Sequence, residues 1–361
     1  LYVKFHEEAE EEEKLEDKGK EWSKKVEEGD EEAIRLWNMF RDASIEYHQA
    51  EYQKMGVSFD RWTGESTVIE ETEEVIKEGI EEGVIEEDED GSLYIEFEEM
   101  PDTVLKRADG STLYLSRDLG NLKKRSNEGF DLNLYVVASE QNLHFKQLFK
   151  AAEMLGMDNK GCEHVSYGMV RLGEGSMSSR EGRIIRLSEV LEKSVEKARE
   201  KIEGSEYEGD PEAVGIGAFK YANLAVSRNK DIQFSWDEAL SFEGDSGPYL
   251  QYSNTRARSI LEKAETEGEL AGEFGDGEYQ LLKKISEFPE SVEYAAKSRD
   301  PVKIASYLSD LCEQFNTFYH DNPVLQSGEE TRKRRLKIVE LFERVTRTGL
   351  ELLGIETLEE M

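Results

Sequence analysis

The sequence predicts an α/β domain in the first half of the chain and an all-helical domain in the second half. Two observations carry this prediction. In the first half, short apolar runs with strand-like alternation are interspersed with stretches of helical period. From Ala213 onward the helical patterns are long and strand signals are few. Alternating strands and helices are typical of a parallel sheet with helices packed on it, whereas successive helices are typical of a bundle.

The amino-terminal third mixes helical and strand patterns. Leu1–Phe5 alternates like a strand, and the acidic stretch 7–25 is typical of a solvated or partly ordered helix. Further along, helical spacing covers 33–55 and 68–83, and strand alternation covers 57–60, 92–97 and 113–115.

The clearest buried strand is 133–138, which is apolar on both faces. A helix follows it after a short polar turn, and its apolar residues keep the helical period as far as Gly156, a residue that often ends helices. Strand, turn and helix together form a βα unit, so we expect parallel strands here.

The second half contains helical patterns over 248–264, 301–320 and 330–353, and Pro323 separates the last two. We therefore expect an α/β domain over 1–190, a connecting helical segment over 191–240 and a helical domain over 241–361.

The composition is unusually acidic. Aspartate and glutamate number 81 against 46 lysines and arginines, a formal charge of −35 over 361 residues. Because apolar residues keep clear periods, we expect folded domains with an acidic surface and not a disordered chain. Repulsion within such a surface is screened at about 1 M salt, where the Debye length is roughly 3 Å. The composition therefore predicts a protein that works in concentrated salt.

No apolar run approaches membrane-spanning length, and the start does not resemble a signal peptide. We expect a soluble, cytoplasmic protein. Cys162 and Cys312 are far apart and lack metal-site spacing, so we predict neither a disulfide nor a zinc site and expect both side chains to be buried.

Polar side chains follow two of the predicted strands. Tyr114, Asp118 and Gln141 lie where strands are expected to end, and ligands of open α/β sheets bind outside the carboxyl ends of the strands. These side chains are therefore candidates for one polar ligand, with Asp118 favouring a cation. The alternatives are a helix N-cap or an ion pair with Arg117 for Asp118, and ordinary packing for Tyr114.

Two further residues and one loop are candidates. Glu65 is a second carboxylate for a cation or a surface glutamate, and His144 lies one helical turn beyond Gln141. The stretch 176–187 holds three serines and three arginines, a composition that suits phosphate, although the composition taken alone favours a solvated turn before a helix. The sequence contains no P-loop, no Gly-x-Ser-x-Gly elbow and no histidine pair at metal-binding spacing.

Several segments together resemble a known family. They read DGSTLYLSRD at 109–118, VVASEQNLHFKQ at 136–147, SFEGDSGPYLQY at 241–252 and FNTFYH at 315–320. The resemblance is to the arginyl-tRNA synthetases, which are class I aminoacyl-tRNA synthetases, and it runs along almost the whole chain. It implies a partial Rossmann-type catalytic domain followed by an all-α anticodon-binding helical bundle.

The resemblance also implies a reaction and its participants. The expected activity is ATP-dependent activation of L-arginine to arginyl-adenylate and transfer to tRNA(Arg). ATP with Mg²⁺ is expected as a substrate, with no tightly bound cofactor. The expected partners are tRNA(Arg), L-arginine and ATP, without a membrane, for a monomeric protein.

Residue roles follow from the same resemblance. The positions implied to contact arginine are Glu65, Tyr114, Asp118 and Gln141. Those implied for catalysis, in a loop of the Lys-Met-Ser-Lys-Ser type, are Met177, Ser178, Arg180 and Gly182. Those implied for ATP are His144, Met177, Ser178 and Arg180. Those implied for tRNA are Tyr249, Tyr252, Arg332, Arg334 and Arg335. For the basic run 331–337 the alternative is a helix face that balances neighbouring glutamates, and for the tyrosines it is core packing.

The chain departs from the family in two places. No histidine pair has the His-x-Gly-His spacing, and in the loop Ser176 and Glu181 replace lysines. With the strand-like start, this predicts an N-terminally truncated chain, and whether that chain is active by itself stays open. The acidic composition indicates a halophilic archaeon or a similar salt-adapted organism as the source. The alternative is a non-catalytic tRNA-binding protein derived from a synthetase.

Overall fold

A computed structural model describes residues 2–11, 14–172, 186–205, 209–264 and 266–359 of the chain. The chain forms two compact units. The α/β unit comprises Phe59–Met169 and Arg228–Asp231, and the helical unit comprises Leu1–Ser58, Val170–Ser227 and Ile232–Met361. Each unit has a hydrophobic core of its own.

The helices of the described residues are numbered in chain order. They are α1 (Tyr2–Glu11), α2 (Lys14–Glu27), α3 (Glu31–Lys54), α4 (Ile69–Glu81), α5 (Tyr114–Glu128), α6 (Asn142–Met154), α7 (Leu187–Glu203), α8 (Pro211–Leu224), α9 (Trp236–Ala239), α10 (Gly247–Glu262), α11 (Asp276–Ser286), α12 (Phe288–Ser298), α13 (Val302–Asp321) and α14 (Glu329–Leu352). Short 3₁₀ turns cover Glu65–Thr67 and Ser139–Gln141.

The strands of the described residues form three small sheets. They are β1 (Glu86–Glu87), β2 (Leu93–Ile95), β3 (Thr103–Lys106), β4 (Asn133–Ala138), β5 (Cys162–Tyr167), β6 (Val170–Leu172) and β7 (Ile232–Phe234). Strands β1, β2 and β3 pair antiparallel in that order. Strands β4 and β5 pair parallel, from Asn133 opposite Cys162 to Ala138 opposite Tyr167, and β6 pairs parallel with β7. The predicted parallel βα unit is therefore confirmed.

The core of the α/β unit lies between α4, α5, α6 and the strands. Its fully buried side chains include Ile95, Leu105, Leu119, Leu122 and Leu148. The helical period of α5 explains this arrangement, because leucines three and four residues apart share one side of a helix.

Gly120 sets the distance between α4 and α5. A Cβ atom at this position would lie 2.3 Å from Oγ1 of Thr72 and 3.0 Å from its backbone nitrogen. The missing side chain therefore lets the two helices approach closely.

Most of the longer elements predicted from the sequence are confirmed. These are the helices at 33–55, 68–83, 248–264, 301–320 and 330–353, the helix ending at Gly156, and the strands at 92–97 and 133–138. The apolar run 133–138 is buried on one face only, however. Tyr135 faces the core beside Phe145, while Leu134 and Val136 on the opposite face are exposed. The prediction of burial on both faces is therefore wrong.

Three short strand predictions are also wrong. Leu1–Phe5 and 57–60 form no strand in the described part of the chain, because α1 begins at Tyr2 and the second segment is irregular. Tyr114 begins α5 and does not sit in a strand. Helical spacing there buries Leu115 together with Leu119, and this packing outweighs the strand preference of three residues.

The four residues 228–231 form hydrogen bonds with the end of β5 and the two residues that follow it. The backbone nitrogen of Gly168 donates to the carbonyl of Arg228 (2.7 Å), and that of Met169 donates to Oδ1 of Asp231 (2.9 Å). Nη1 of Arg228 donates to the carbonyl of Ser166 (2.6 Å). A Cβ atom on Gly168 would lie 2.3 Å from the carbonyl oxygen of Lys230, so this contact needs glycine. We call residues 228–231 the strap.

The helical unit is built around α10, which packs against α8, α13 and α14. Leu250 is fully buried, and the rings of Phe315 and Phe342 stack with centroids 3.8 Å apart. The side chain of Ser246 caps α10 by accepting a hydrogen bond from the backbone nitrogen of Tyr249 (3.2 Å). Cys312 is fully buried, as predicted, whereas Cys162 is half-buried.

A membrane-spanning helix is not found in the described ranges, where every helix is too short or too polar to cross a bilayer.

Candidate functional site

Two candidate residues share one side of α5. Tyr114 and Asp118 are four residues apart, one helical turn, so their side chains leave the helix in similar directions. Tyr114 is 70% exposed and the Asp118 side chain is 34% exposed. Because Leu115 and Leu119 are buried, the packing of α5 fixes which side of the helix carries the polar pair.

Asp118 is bound by His144. Nε2 of His144 lies 2.7 Å from Oδ2 of Asp118, and the histidine side chain is 22% exposed. His144 is in the first turn of α6, which follows β4 and the 3₁₀ turn Ser139–Gln141. The pair therefore lies near the carboxyl end of a parallel strand, where α/β proteins bind ligands.

The other candidate carboxylate has a partner as well. Glu65, in the 3₁₀ turn before α4, forms an ion pair with Arg117 of α5. The close approach of α4 and α5 at Gly120 brings these two segments together. Sequence reasoning offers Arg117 as a partner for Asp118, whereas the structure pairs it with Glu65.

Gln141 ends the 3₁₀ turn and is exposed, three residues before His144. The structure thus brings Asp118 together with His144, and Glu65 together with Arg117. The predicted loop residues Met177, Ser178, Arg180 and Gly182 lie outside the described residues. Among the side chains that are described, no three His, Cys, Asp or Glu residues are arranged to hold a metal ion.

The basic run of the helical unit is largely engaged internally. Glu278, 1% exposed, accepts hydrogen bonds from Nε of Arg334 (2.7 Å) and Nε of Arg335 (2.7 Å). Burial alone would raise the pKa of Glu278, but the hydrogen bonds from these two arginines outweigh it and hold the pKa below its ordinary value. A guanidinium in this position would reach a phosphate only by leaving a buried carboxylate.

The neighbours of these arginines follow the same pattern. Lys333 pairs with Glu329 (2.8 Å) and Lys337 with Glu340 (2.7 Å). The geometry therefore favours the alternative of a helix face that balances glutamates. Arg334 and Arg335 are thus bound inside the helical unit, and the tRNA contacts of Arg332, Arg334 and Arg335 stay predictions.

The two candidate tyrosines of α10 belong to a polar network. The hydroxyl of Tyr249 accepts a hydrogen bond from Nδ2 of Asn316 (2.9 Å), and the guanidinium of Arg256 lies 4.4 Å from the ring centroid of Tyr252. Nη1 of Arg256 also donates to Oδ1 of Asn316 (2.8 Å). Sequence reasoning missed Arg256, although its position one turn after Tyr252 predicts their contact.

Comparison with known proteins identifies the family. Residues 1–236 match the family model described as "tRNA synthetases class I (R), catalytic domain", and residues 250–361 match the "DALR anticodon binding domain". The chain belongs to the class I arginyl-tRNA synthetase family. The predicted fold class, a class I synthetase α/β catalytic domain with a helical anticodon domain, is thereby confirmed.

Curated relatives of this synthetase chain support the same family assignment. It is 39% identical to the arginine–tRNA ligase of Halothermothrix orenii and 37% identical to that of Clostridioides difficile. Both alignments cover 100% of this chain and 66% of the relative. The chain therefore spans a little under two thirds of the length of these relatives, and their names do not favour a non-catalytic tRNA-binding protein.

Solved structures show the same fold. The arginyl-tRNA synthetase of Plasmodium falciparum superposes with a TM-score of 0.82 at 23% identity, covering 97% of this chain and 62% of that one. The arginyl-tRNA synthetase of Thermus thermophilus gives 0.79 at 23% identity, covering 93% and 68%. The comparisons do not support a halophilic source, and the predicted domain boundaries after residues 190 and 240 stay predictions.

Proposed function

We propose that this synthetase chain belongs to an arginine–tRNA ligase, which activates L-arginine with ATP and transfers it to tRNA(Arg). Membership of the family and the names of the curated relatives support this activity. The single observation that carries it is the partly exposed carboxylate of Asp118 near the carboxyl end of β4, with Tyr114 on the same side of α5. We expect the protein to be a cytoplasmic monomer.

Arginine recognition would rest on Asp118, Tyr114, Gln141 and Glu65. A guanidinium is a planar group with five donors, and a carboxylate accepts two of them side by side. Lysine offers a compact point charge and would leave acceptors in the site unsatisfied, which costs binding energy. The ion pair between Glu65 and Arg117 indicates that the Glu65 carboxylate accepts a guanidinium, so substrate would exchange with Arg117 there.

The first reaction step would join arginine to AMP. A carboxylate oxygen of L-arginine attacks the α-phosphorus of ATP, the bond to the bridging oxygen breaks, and pyrophosphate leaves with its electron pair. Such a step depends on positioning and on stabilising charge on phosphate oxygens, and it needs no protein nucleophile. Met177, Ser178 and Arg180 are proposed to contact ATP, with Gly182 in the same catalytic loop, and Mg²⁺ would enter with the nucleotide.

Binding of tRNA would use the helical unit. Tyr249 and Tyr252 are partly exposed and carry rings on which unpaired bases can stack, which contributes about 1–3 kcal/mol per base. Arg332 is proposed as a phosphate contact. An acidic protein can bind a polyanion in this way because local groups, and not the net charge, meet the nucleic acid.

Binding and exchange measurements test the proposal. The 361-residue chain should bind L-arginine in calorimetry. Asp118→Asn should weaken this binding roughly tenfold or more while Mg·ATP binding stays unchanged, because the lost partner is a charged acceptor. Asp131→Asn is the matched control, since Asp131 is exposed beside the amino end of β4.

Arginine-dependent ATP–pyrophosphate exchange, with tRNA(Arg) supplied, tests the chemistry. Absence of L-arginine binding by the wild-type chain contradicts the proposal.

A further inference from the structure

We propose that His144 is a positioning residue for arginine recognition and not a contact for ATP. Its Nε2–H donates to Oδ2 of Asp118 and fixes the orientation of the carboxylate that receives the substrate guanidinium. This inference rests on the proposed function and assigns His144 a place in the same site. The family resemblance suggests ATP for His144, whereas the geometry points to arginine.

The pair is formed by two different elements. His144 is on α6 and Asp118 is on α5, 26 residues apart in sequence, with 2.7 Å between Nε2 and Oδ2. A side chain has several staggered rotamers, and a partly exposed aspartate samples them unless something holds it. A hydrogen bond from a second helix selects one of them.

The imidazole ring is itself held in place. It contacts the ring of Phe145 edge-on, with centroids 5.3 Å apart and an interplanar angle of 88°. Phe145 is buried and stacks on the ring of His164 at 4.2 Å. His164 in turn lies 3.0 Å through Nε2 from the carbonyl of Val137 in β4. The orientation of Asp118 is therefore tied, through three rings, to the strand at whose end the site lies.

The contact leaves Asp118 able to bind a ligand. A carboxylate has about four lone-pair positions, and the histidine takes one of them on Oδ2. Within the described part of the chain, Oδ1 of Asp118 accepts no hydrogen bond. A bidentate guanidinium can therefore still approach Asp118 without displacing His144.

The two candidate carboxylates differ in their partners. Glu65 is paired with the permanent cation of Arg117, whereas Asp118 is contacted through Oδ2 by the imidazole of His144. Substrate must displace Arg117 to reach Glu65 fully, but it adds to the contact that His144 makes. Asp118 is therefore the carboxylate that can bind the substrate without losing a partner, and His144 is the residue that orients it.

Two variants separate the hydrogen bond from the ring. His144→Phe keeps an aromatic ring against Phe145 and removes the donor, while His144→Gln keeps an amide N–H near the position of Nε2. In calorimetry, His144→Phe should weaken L-arginine binding roughly tenfold, because the carboxylate that receives the guanidinium loses the hydrogen bond that orients it. His144→Gln should stay within about threefold of wild type by the same reasoning, and Mg·ATP affinity should be unchanged in both.

Imidazole ¹⁵N NMR on the wild-type chain gives a second measurement that needs no variant. The inference expects a proton on Nε2 of His144, and a signal from the Nδ1–H tautomer overturns it even if His144→Phe does not fold.

Equal losses for L-arginine and Mg·ATP in the variants overturn it in favour of a nucleotide contact. Unchanged L-arginine affinity in folded His144→Phe, with a loss in Asp118→Asn, overturns it and leaves the proposed function standing. Failure of the wild-type chain to bind L-arginine contradicts the proposed function itself.

Discussion

Two charged clusters in this chain use the same chemistry with different access to water. In the helical unit, Glu278 and Arg334 are almost fully buried, with side-chain exposures of 1% and 8%. In the α/β unit, Asp118 and Glu65 remain 34% and 44% exposed. The first we call the sealed cluster (Glu278, Arg334 and Arg335) and the second the open cluster (Glu65, Arg117, Asp118 and His144).

The difference teaches what to expect of a basic or acidic motif in a sequence. In the sealed cluster every charge has a partner within the chain, so its contribution is to stability. In the open cluster the carboxylates keep acceptor positions that water or a ligand can reach, and we propose that its contribution is to binding. Burial, which the residue types alone do not reveal, separates the two roles.

The largest expected effect is on the sealed cluster. Glu278→Gln leaves two largely buried guanidinium groups without a counter-charge, which should lower the free energy of unfolding by about 3–5 kcal/mol. Chemical denaturation of the variant and the wild type at neutral pH measures the difference. Glu329→Gln, which removes the exposed partner of Lys333, is the control and should lower the free energy of unfolding by no more than about 1 kcal/mol. A loss below about 1 kcal/mol for Glu278→Gln would contradict the distinction, because exposed pairs already contribute that much.

The next effect concerns the packing beneath the open cluster. Gly120→Ala places a Cβ atom 2.3 Å from Oγ1 of Thr72, so α4 and α5 must separate. We expect a loss of about 1–3 kcal/mol, as for other overpacked cores, and a displaced Glu65–Arg117 pair. Thermal unfolding together with L-arginine calorimetry measures both. Gly64→Ala is the control, because a Cβ atom there would have no neighbour within 4 Å and the φ angle of −138° suits alanine.

A smaller effect is the pH dependence of the sealed cluster. The folded-state pKa of Glu278 is lowered, so its stabilising contribution is present above the ordinary glutamate pKa, about 4.3, and is lost as pH falls through the lower folded-state value. The stability difference between wild type and Glu278→Gln should therefore shrink on acidification. Denaturation at a series of pH values from neutral to acidic measures it. A difference that stays constant would show that the pKa of Glu278 is the same in the folded and the unfolded protein.

The smallest effect on stability is expected in the open cluster. Glu65→Gln removes a partly exposed ion pair with Arg117 and should cost roughly 0.2–1 kcal/mol. A double-mutant cycle with Arg117→Met isolates the coupling between the two side chains. A coupling above about 2 kcal/mol would exceed the range of exposed pairs and make Glu65 a structural residue.

Much of the fold could be predicted because helix patterns are long and local. The segments 301–320 and 330–353 each carry many apolar residues at helical spacing, so a few misplaced residues do not change the prediction. The strand prediction at Tyr114 fails because a three-residue alternation carries little information, and the burial of Leu115 and Leu119 by α5 decides the structure.

The site was less accessible to sequence reasoning. Asp118 and Gln141 stand out only through their positions after predicted strands and through the resemblance to a family. Their partners depend on contacts between distant segments, 26 residues apart for His144 with Asp118 and 52 for Arg117 with Glu65. The burial of Glu278 could not be predicted, since glutamate is rarely buried and its two arginines lie 56 and 57 residues away.

The strap links the α/β unit to a late part of the chain. Arg228 donates a hydrogen bond to Ser166 and Asp231 accepts one from Met169, each across 62 residues, so these contacts at the end of β5 form only after α7 and α8 have been synthesised. Contacts of such long sequence separation form slowly, because closing a long loop costs entropy before it gains any contact. A fragment that ends at residue 169 would therefore contain the strands and helices of this unit. It would lack the four strap residues and their hydrogen bonds to the end of β5.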